Sequence, residues 1–425
     1  MGLVGLVGLG LAAIWWVNRP ATSPAQTPEP ATKTPAPPPA AALPKNILRG
    51  ILSQVAAPPS NSFSLAQLIA QLLDSKQPLA VRCAAARALA KDGSDAAMQA
   101  LRQALQEGPV SLKVAVAEAL GECPNPAARQ MLLDLANGAD ETTARGALRG
   151  LATRGDAEAA EVLAAALFDG NKSAAFRTEA ALALGGVQQA AALAALTRAV
   201  REIKDETILE NVFDGLGHRP FAETEAIFRE FLQRPDVAAD SRVAALEALG
   251  NTSENCSSFL LGYAADADPN VRAAVGWALT AAENPGAISP QLLGWLQQED
   301  DASARLRLYQ ALANQESVAS TAVLPYVQRE TDAEARLAGL GLLATAVRAD
   351  GNAEALAYFE ATAVPELRNA ALNSPRLDQS LSAIISLDRA GTPAAMTTLN
   401  EIAQNTTDAS LRAAAQQAVT RHRTR

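Results

Sequence analysis

Apolar residues recur along most of the chain at intervals of three and four, the spacing that places side chains on one face of an α-helix. Ten-residue segments with this pattern resemble one another, as in VRCAAARALA from Val81, SRVAALEALG from Ser241 and VRAAVGWALT from Val271. A second segment of apolar periodicity precedes each of them, for example AAMQALRQAL over 96–105. The pattern therefore predicts a repeated unit of helix, turn and helix.

One position near the start of each copy defines the register of the repeat. We call it the marker; it is basic in eight copies, and an apolar residue follows it seven positions later. Successive markers lie 30 to 33 residues apart, except for one step of 44 residues. Self-similarity with such a period is typical of a solenoid built from stacked helix pairs. The markers are Arg82, Lys113, Ala144, Arg177, Leu209, Arg242, Arg272, Arg305, Arg336, Ser380 and Arg412.

An aspartate precedes the marker by four positions in six copies. This spacing places a carboxylate at the start of the second helix, where it can accept hydrogen bonds from free backbone N–H groups. In a stack of repeats the aspartates and the basic markers also form rows, so we expect charged ladders between neighbouring units. The expected role of these residues is structural rather than catalytic. The six are Asp140, Asp205, Asp268, Asp301, Asp332 and Asp408.

The combined pattern, D-x-x-x-[VLA]-R-x-x-A-x-x-A-L-G, resembles the HEAT-repeat family, in particular its short bacterial type, often called PBS-lyase-like. The resemblance extends over about residues 63–425 in about eleven copies. It implies an all-α fold, an α-solenoid whose second helices form a concave surface. Members of this family serve mostly as scaffolds, with some lyases and hydroxylases among their relatives, so the resemblance indicates a fold more than a function.

The single long step between markers predicts an irregular insertion near 350–379. The extra residues lie in 363–379, where Pro365 and Pro375 bracket a short helix. We interpret this stretch as a tolerated surface insertion or a degenerate repeat. The alternative is a loop that shapes the groove or binds a partner.

Residues 1–17 form an apolar run without side-chain charge, and Trp15 and Trp16 stand near its end. As a helix the run would span about 25 Å, just short of the thickness of a typical hydrocarbon core. Because no basic segment precedes it and no convincing cleavage site follows, we expect an uncleaved transmembrane anchor rather than a cleaved signal peptide. Residues 18–60 are rich in Pro, Ala and Thr and predict a disordered linker before a repeat domain over 61–425.

Composition and charge limit the partners and the kinds of site that the sequence suggests. The chain has 425 residues and a net charge of −9, which argues against a nucleic-acid partner. The many alanines favour helices that approach one another closely. With two histidines, His218 and His422, and three widely spaced cysteines, the sequence suggests no metal centre. No Walker loop, GxSxG or HxxxH motif occurs, so we expect no cofactor and no enzymatic activity.

The aromatic residues are concentrated in the middle of the chain, in a stretch that is also acidic. Large rings are favoured as interface anchors, although in an alanine-rich solenoid they also fill space between helices. The acidic side chains suit a basic or mixed partner surface. The candidate partner-binding residues are Phe213, Phe221, Phe228, Tyr263, Trp277, Trp295 and Tyr309.

Together these features predict a membrane-anchored scaffold that binds protein partners in the bacterial envelope. Tethers of this composition commonly follow inner-membrane anchors in bacterial envelope proteins, so we expect a periplasmic body. A body on the cytoplasmic face is the alternative, because basic residues follow the apolar run and none precede it. Two other functions stay open: a lyase-like or maturation factor that acts on a cofactor-bearing protein, and a structural spacer.

The membrane topology can be measured with reporters fused to the C-terminus. We expect activity from a reporter that functions only in the periplasm and none from a reporter that functions only in the cytoplasm. The reverse pattern would place the repeats on the cytoplasmic face.

Overall fold

The computed structural model describes residues 63–282, 287–315 and 318–423. The predicted anchor at 1–17 and the linker at 18–60 lie outside these residues. Within the described part, no helix is both long and apolar enough to cross a membrane. The described residues form helices and no strand, which confirms the all-α prediction.

In the described part the helices follow one another as eleven pairs, which we call repeats 1 to 11. Each marker lies in the second helix of its pair. In chain order the pairs are α1 (Leu65–Leu73) and α2 (Leu79–Asp92), α3 (Asp95–Glu107) and α4 (Val110–Leu120), α5 (Pro126–Ala136) and α6 (Glu141–Arg154), α7 (Ala157–Phe168) and α8 (Ala174–Gly186), α9 (Ala190–Glu202) and α10 (Glu206–Gly217), α11 (Phe221–Leu232) and α12 (Ala239–Ala248), α13 (Ser257–Leu261) and α14 (Pro269–Ala281), α15 (Ser289–Leu296) and α16 (Ala302–Ala313), α17 (Ser320–Arg329) and α18 (Ala333–Asp350), α19 (Ala353–Tyr358) continued by α20 (Val364–Asn373) and paired with α21 (Leu377–Ala390), and α22 (Pro393–Asn405) and α23 (Ala409–Arg423).

The predicted capping aspartates begin second helices. Each of the six accepts a hydrogen bond from a backbone N–H in the first turn. The Oδ1 atom of Asp332, for example, accepts from the N–H groups of Glu334 at 3.0 Å and Ala335 at 2.9 Å. The carboxylate thus satisfies donors that an isolated helix would leave free.

Several marker arginines donate hydrogen bonds to backbone carbonyls at the end of the preceding helix. The Nε atom of Arg82 donates to the carbonyl of Leu72 at 2.9 Å, and that of Arg177 donates to the carbonyl of Leu167 at 2.9 Å. These carbonyls belong to the last turn of the first helix, where the helix dipole is negative and favours a cation. In such repeats one side chain joins the two helices of the pair.

The second helices of neighbouring repeats lie close together, and they contact one another more extensively than the first helices do. At the crossing of α8 and α10, a Cβ added to Gly185 would come closer than 3.0 Å to the Cα of Gly215. A Cβ added to Gly150 of α6 would lie 2.6 Å from the carbonyl oxygen of Ala117 in α4. At these crossings the absence of a side chain allows two backbones to meet.

Marker arginines of repeats 6 to 9 also bind an acid of the following repeat. Arg272 Nη2 lies 2.7 Å from Glu299 Oε1, and Arg305 Nε lies 2.8 Å from Glu330 Oε2. Both glutamate side chains are 1% exposed, so each pair is largely withdrawn from water. The expected ladder therefore exists, but these partners lie in the turn or first helix of the next repeat and are not the capping aspartates. The other two pairs are Arg242–Asp266 and Arg336–Glu366.

The expected irregular insertion near 350–379 is helical. Part of the extra length extends α18 to 18 residues. The rest lengthens the next first helix, which runs over 353–373 through a π-helical turn at Phe359–Ala363. Pro365 follows that wider turn, which accommodates a residue that has no N–H and whose ring crowds the preceding turn. The short helix expected between Pro365 and Pro375 is thus the second half of a longer one.

The paired glycines at the end of α8 provide a test of the close helix crossing. Replacing Gly185→Ala should destabilise the protein by about 1–3 kcal/mol, because the new methyl group overlaps the backbone of α10. The unfolding free energy from urea denaturation, followed by circular dichroism, measures this change.

Gly186 is the matched control. A Cβ added there meets nothing within 4 Å, and the residue has no positive φ. Gly186→Ala should therefore leave stability unchanged or raise it by up to about 1 kcal/mol. Equal effects at the two positions would contradict the close crossing.

Candidate binding surface

Four of the seven aromatic residues predicted to bind a partner are buried. Phe213 and Phe228 are 0% exposed, Tyr309 is 1% and Phe221 is 9%. The ring of Phe213 packs 5.6 Å from that of Phe228 and 4.5 Å from that of Phe231. These four side chains have almost no surface to offer, so the structure assigns them to the core and corrects the prediction that they bind a partner directly.

The other three aromatic candidates are half-buried. Trp295 donates its Nε1–H to Glu299 at 2.8 Å and so supports the buried ladder. The ring of Tyr263 lies 5.4 Å from that of Phe259, beside the core. Trp277 lies on α14, a second helix, and it alone of these three belongs to the surface defined next.

The positions one and five residues after the marker form one continuous surface, which we call the second-helix face. In all eleven described repeats, the residues at both positions are exposed or half-buried. Other positions of the second helix are buried. In the repeat whose marker is Leu209, these are Val212 at position three and Leu216 at position seven. This alternation follows from the helical period, since positions one and five share a face that points away from the core.

Charge is distributed unevenly along the second-helix face. Five of repeats 1 to 6 carry a charged residue at position one or five, and repeats 7 to 10 carry none. We call the second-helix face of repeats 7 to 10 the apolar section. The charged residues are Arg87, Glu118, Arg145, Arg149, Glu210, Asp214 and Glu247. The apolar section consists of Ala273, Trp277, Leu306, Gln310, Leu337, Gly341, Leu381 and Ile385.

In repeats 2 to 4 the charges bind one another. Arg149 bridges Glu118 on one side and Glu179 on the other, each at 2.6 Å. Arg145 also contacts Glu179, at 3.2 Å. Because two arginines meet two glutamates, the local charge is balanced, and this network mainly joins three second helices.

The acids of repeats 5 and 6 lie in a different environment. Burial among neighbouring side chains raises the pKa of Asp214, and the His218 imidazole opposes that shift. Burial likewise raises the pKa of Glu247; the Arg307 guanidinium opposes this shift, and the Glu210 carboxylate adds to it. Their ionised forms are therefore less stable in the folded chain than in water, which makes them candidates to interact with an incoming positive charge.

The geometry gives little support for other chemistry in the described part. Among the described residues, no three His, Cys, Asp or Glu side chains form a group that could hold a metal ion. The cysteines are free thiols: Cys83 is half-buried, and Cys123 and Cys256 are buried. Burial raises the pKa of Cys256 to about 11 and also raises that of Cys83, which disfavours the reactive thiolate at neutral pH.

The cost of ionising Glu247 can be measured through the pH dependence of stability. Its raised pKa means that the folded state holds a proton more tightly than the unfolded state, so stability falls as the pH rises from the ordinary carboxyl range through the folded pKa. Glu247→Gln should therefore raise the unfolding free energy at pH 8 and have little effect at pH 4. Urea denaturation at the two pH values measures both.

Glu202 is the control, because its pKa is shifted in the opposite direction. Its hydrogen bond with Arg198 lowers the pKa of this exposed carboxyl. Glu202→Gln should thus lose a little stability at pH 8, and this loss should shrink as the pH falls below the ordinary carboxyl range. A gain for Glu247→Gln that is as large at pH 4 as at pH 8 would contradict the assignment.

A protein-family model agrees with this architecture. The family model described as HEAT repeats matches residues 65–148 and 130–216. No curated protein sequence matches the chain. The structure of Kap121p bound to Pho4p is 13% identical with a TM-score of 0.44, and the match covers 83% of this chain and 48% of that one.

A crystal structure of importin beta in an ammonium sulfate condition is also 13% identical to this chain in sequence. Its TM-score is 0.44, and the match covers 83% of this chain and 56% of that one. The chain thus spans about half the length of these solved structures. The family model therefore shows HEAT repeats over residues 65–216, and helix pairs in the same register continue to residue 423.

Proposed function

We propose that this protein is a non-enzymatic, membrane-anchored scaffold that binds other proteins in the bacterial envelope through its second-helix face. The observation that carries the proposal is the continuity of this face: two solvent-accessible positions recur in each of the eleven described repeats. A long surface of this kind suits another polypeptide better than a small molecule, which binds in an enclosed pocket.

The depressions on the described surface also favour a polypeptide partner over a small molecule. One of about 490 Å³ lies beside Leu193, Ala194 and Arg198 of α9. It is open to solvent and belongs to a first helix, away from the second-helix face. Such a depression excludes little water from a bound molecule, so it does not suit catalysis.

The sequence before the repeats supports attachment to a membrane. Residues 1–17 have the length and the lack of charge of a transmembrane helix, and the proline-rich residues 18–60 suit a spacer. Extended at about 3.1 Å per residue, residues 19–46 would span on the order of 80 Å. A body on such a tether can reach partners at a distance from the membrane, and we place it in the periplasm.

Site-specific crosslinking in cells tests the proposed function. A photoreactive amino acid is placed at exposed positions of the second-helix face, Glu210 and Gln417, in the full chain. We expect each to form discrete adducts with the same partner protein, identified by mass spectrometry, because the partner lies along this face.

Exposed first-helix positions provide the matched controls. The same amino acid at Glu161 of α7 and Gln404 of α22 should form no adduct with that partner. Adducts from the first helices alone would contradict the assignment of the face. The absence of adducts from all four positions would contradict the scaffold function and favour a structural spacer.

A further inference from the structure

The apolar section exposes large side chains that could be covered by a partner. Trp277, Leu306, Leu337, Leu381 and Ile385 occupy positions one or five in repeats 7 to 10, and all are half-buried. Trp277 and the three leucines pack against the core, and each keeps part of its surface accessible to water. A contiguous surface of this kind is typical of an interaction site rather than of scattered surface leucines.

The dimensions of the apolar section match a helix. Packed helices lie about 8–10 Å apart, so four consecutive second helices span about 24–30 Å between the first and the last axis. A helix of about 16–20 residues has this length. A stripe of large residues at every third or fourth position of such a helix would meet the side chains of successive repeats.

Charge at one end of the apolar section defines the chemistry of the partner. Repeats 5 and 6, which precede it, present Glu210, Asp214 and Glu247 on the same face. Arg307 stands two positions after the marker of repeat 8, beside the section, and it interacts electrostatically with Glu247 and Glu334, so part of the charge on each of these residues is already balanced. The adjoining acids therefore favour a positive end on the partner and disfavour an acidic peptide or an anionic lipid surface.

We propose that repeats 5 to 10 bind an amphipathic α-helix of a protein partner, with its apolar stripe on the apolar section and a basic end against Glu210, Asp214 and Glu247. This inference rests on the proposed scaffold function and names the class of segment that the scaffold recognises. Trp277 stands at the junction of the two parts, where a large ring can contact both the apolar stripe and a neighbouring basic side chain.

Selection from a library of displayed random 20-residue peptides, with the full chain as bait, tests the proposal. We expect enriched sequences to carry large apolar residues at intervals of three and four and to cluster Lys or Arg at one end. Enrichment of acidic, proline-rich or non-amphipathic sequences, or no enrichment, would overturn it.

Variants locate the binding of the enriched peptides. Leu337→Gln should weaken their affinity about tenfold or more, since it places a polar group in the middle of the apolar section. Glu210→Lys reverses the charge of an exposed residue and should do the same for peptides with a basic end. Unchanged affinity in both variants, with folding confirmed by circular dichroism, would overturn the proposal.

Two matched controls complete the test. Val110→Gln replaces an apolar residue that is 48% exposed at the start of α4, outside the apolar section. Glu161→Lys reverses an exposed charge on a first helix. Both should leave peptide affinity unchanged. If crosslinks form along the second-helix face but the selection fails, the scaffold function stands and the amphipathic-helix partner does not.

Discussion

The structure depends on how closely the second helices can approach one another. Alanine and glycine at the crossings allow backbone to meet backbone, as where Gly185 of α8 faces Gly215 of α10. Close approach gives each repeat an extensive contact with its neighbours, and these nearest-neighbour interfaces supply much of the stability of a repeat protein. It also brings positions one and five of successive repeats near enough to form a single surface, so the second-helix face is a result of the packing.

The repeat register predicts much of the fold and could have predicted more of the surface. The spacing of markers and capping aspartates identifies the helix pairs, because both residues act locally at helix ends. Phe213 and Tyr309 each stand four positions after a marker, where side chains are buried in most repeats, whereas Trp277 stands five positions after one. On the second helices, the position relative to the marker therefore separates core aromatic residues from surface ones, whereas clustering along the sequence does not.

Other features depend on tertiary contacts that the sequence pattern does not contain. The pKa of Glu247 is raised chiefly by burial between repeats; the Glu210 carboxylate of repeat 5 adds to the shift, and the Arg307 guanidinium of repeat 8 opposes it. The helical continuation through Phe359–Ala363 depends on a single widened turn before Pro365, whereas a proline in sequence reads as a helix start or stop. The acids that bind the marker arginines occupy turns and first helices, where no motif draws attention to them.

The ladder in repeats 6 to 9 has a consequence for how such a chain can change in length. Arg272 reaches Glu299 and Arg305 reaches Glu330 in equivalent ways, each from one repeat to the next. Removing one whole period would leave Arg272 facing Glu330 in the same arrangement. Removing part of a period would leave a glutamate without its arginine in a site almost closed to water, which is strongly unfavourable. The ion pairs therefore allow the array to gain or lose complete repeats and oppose any other change of length.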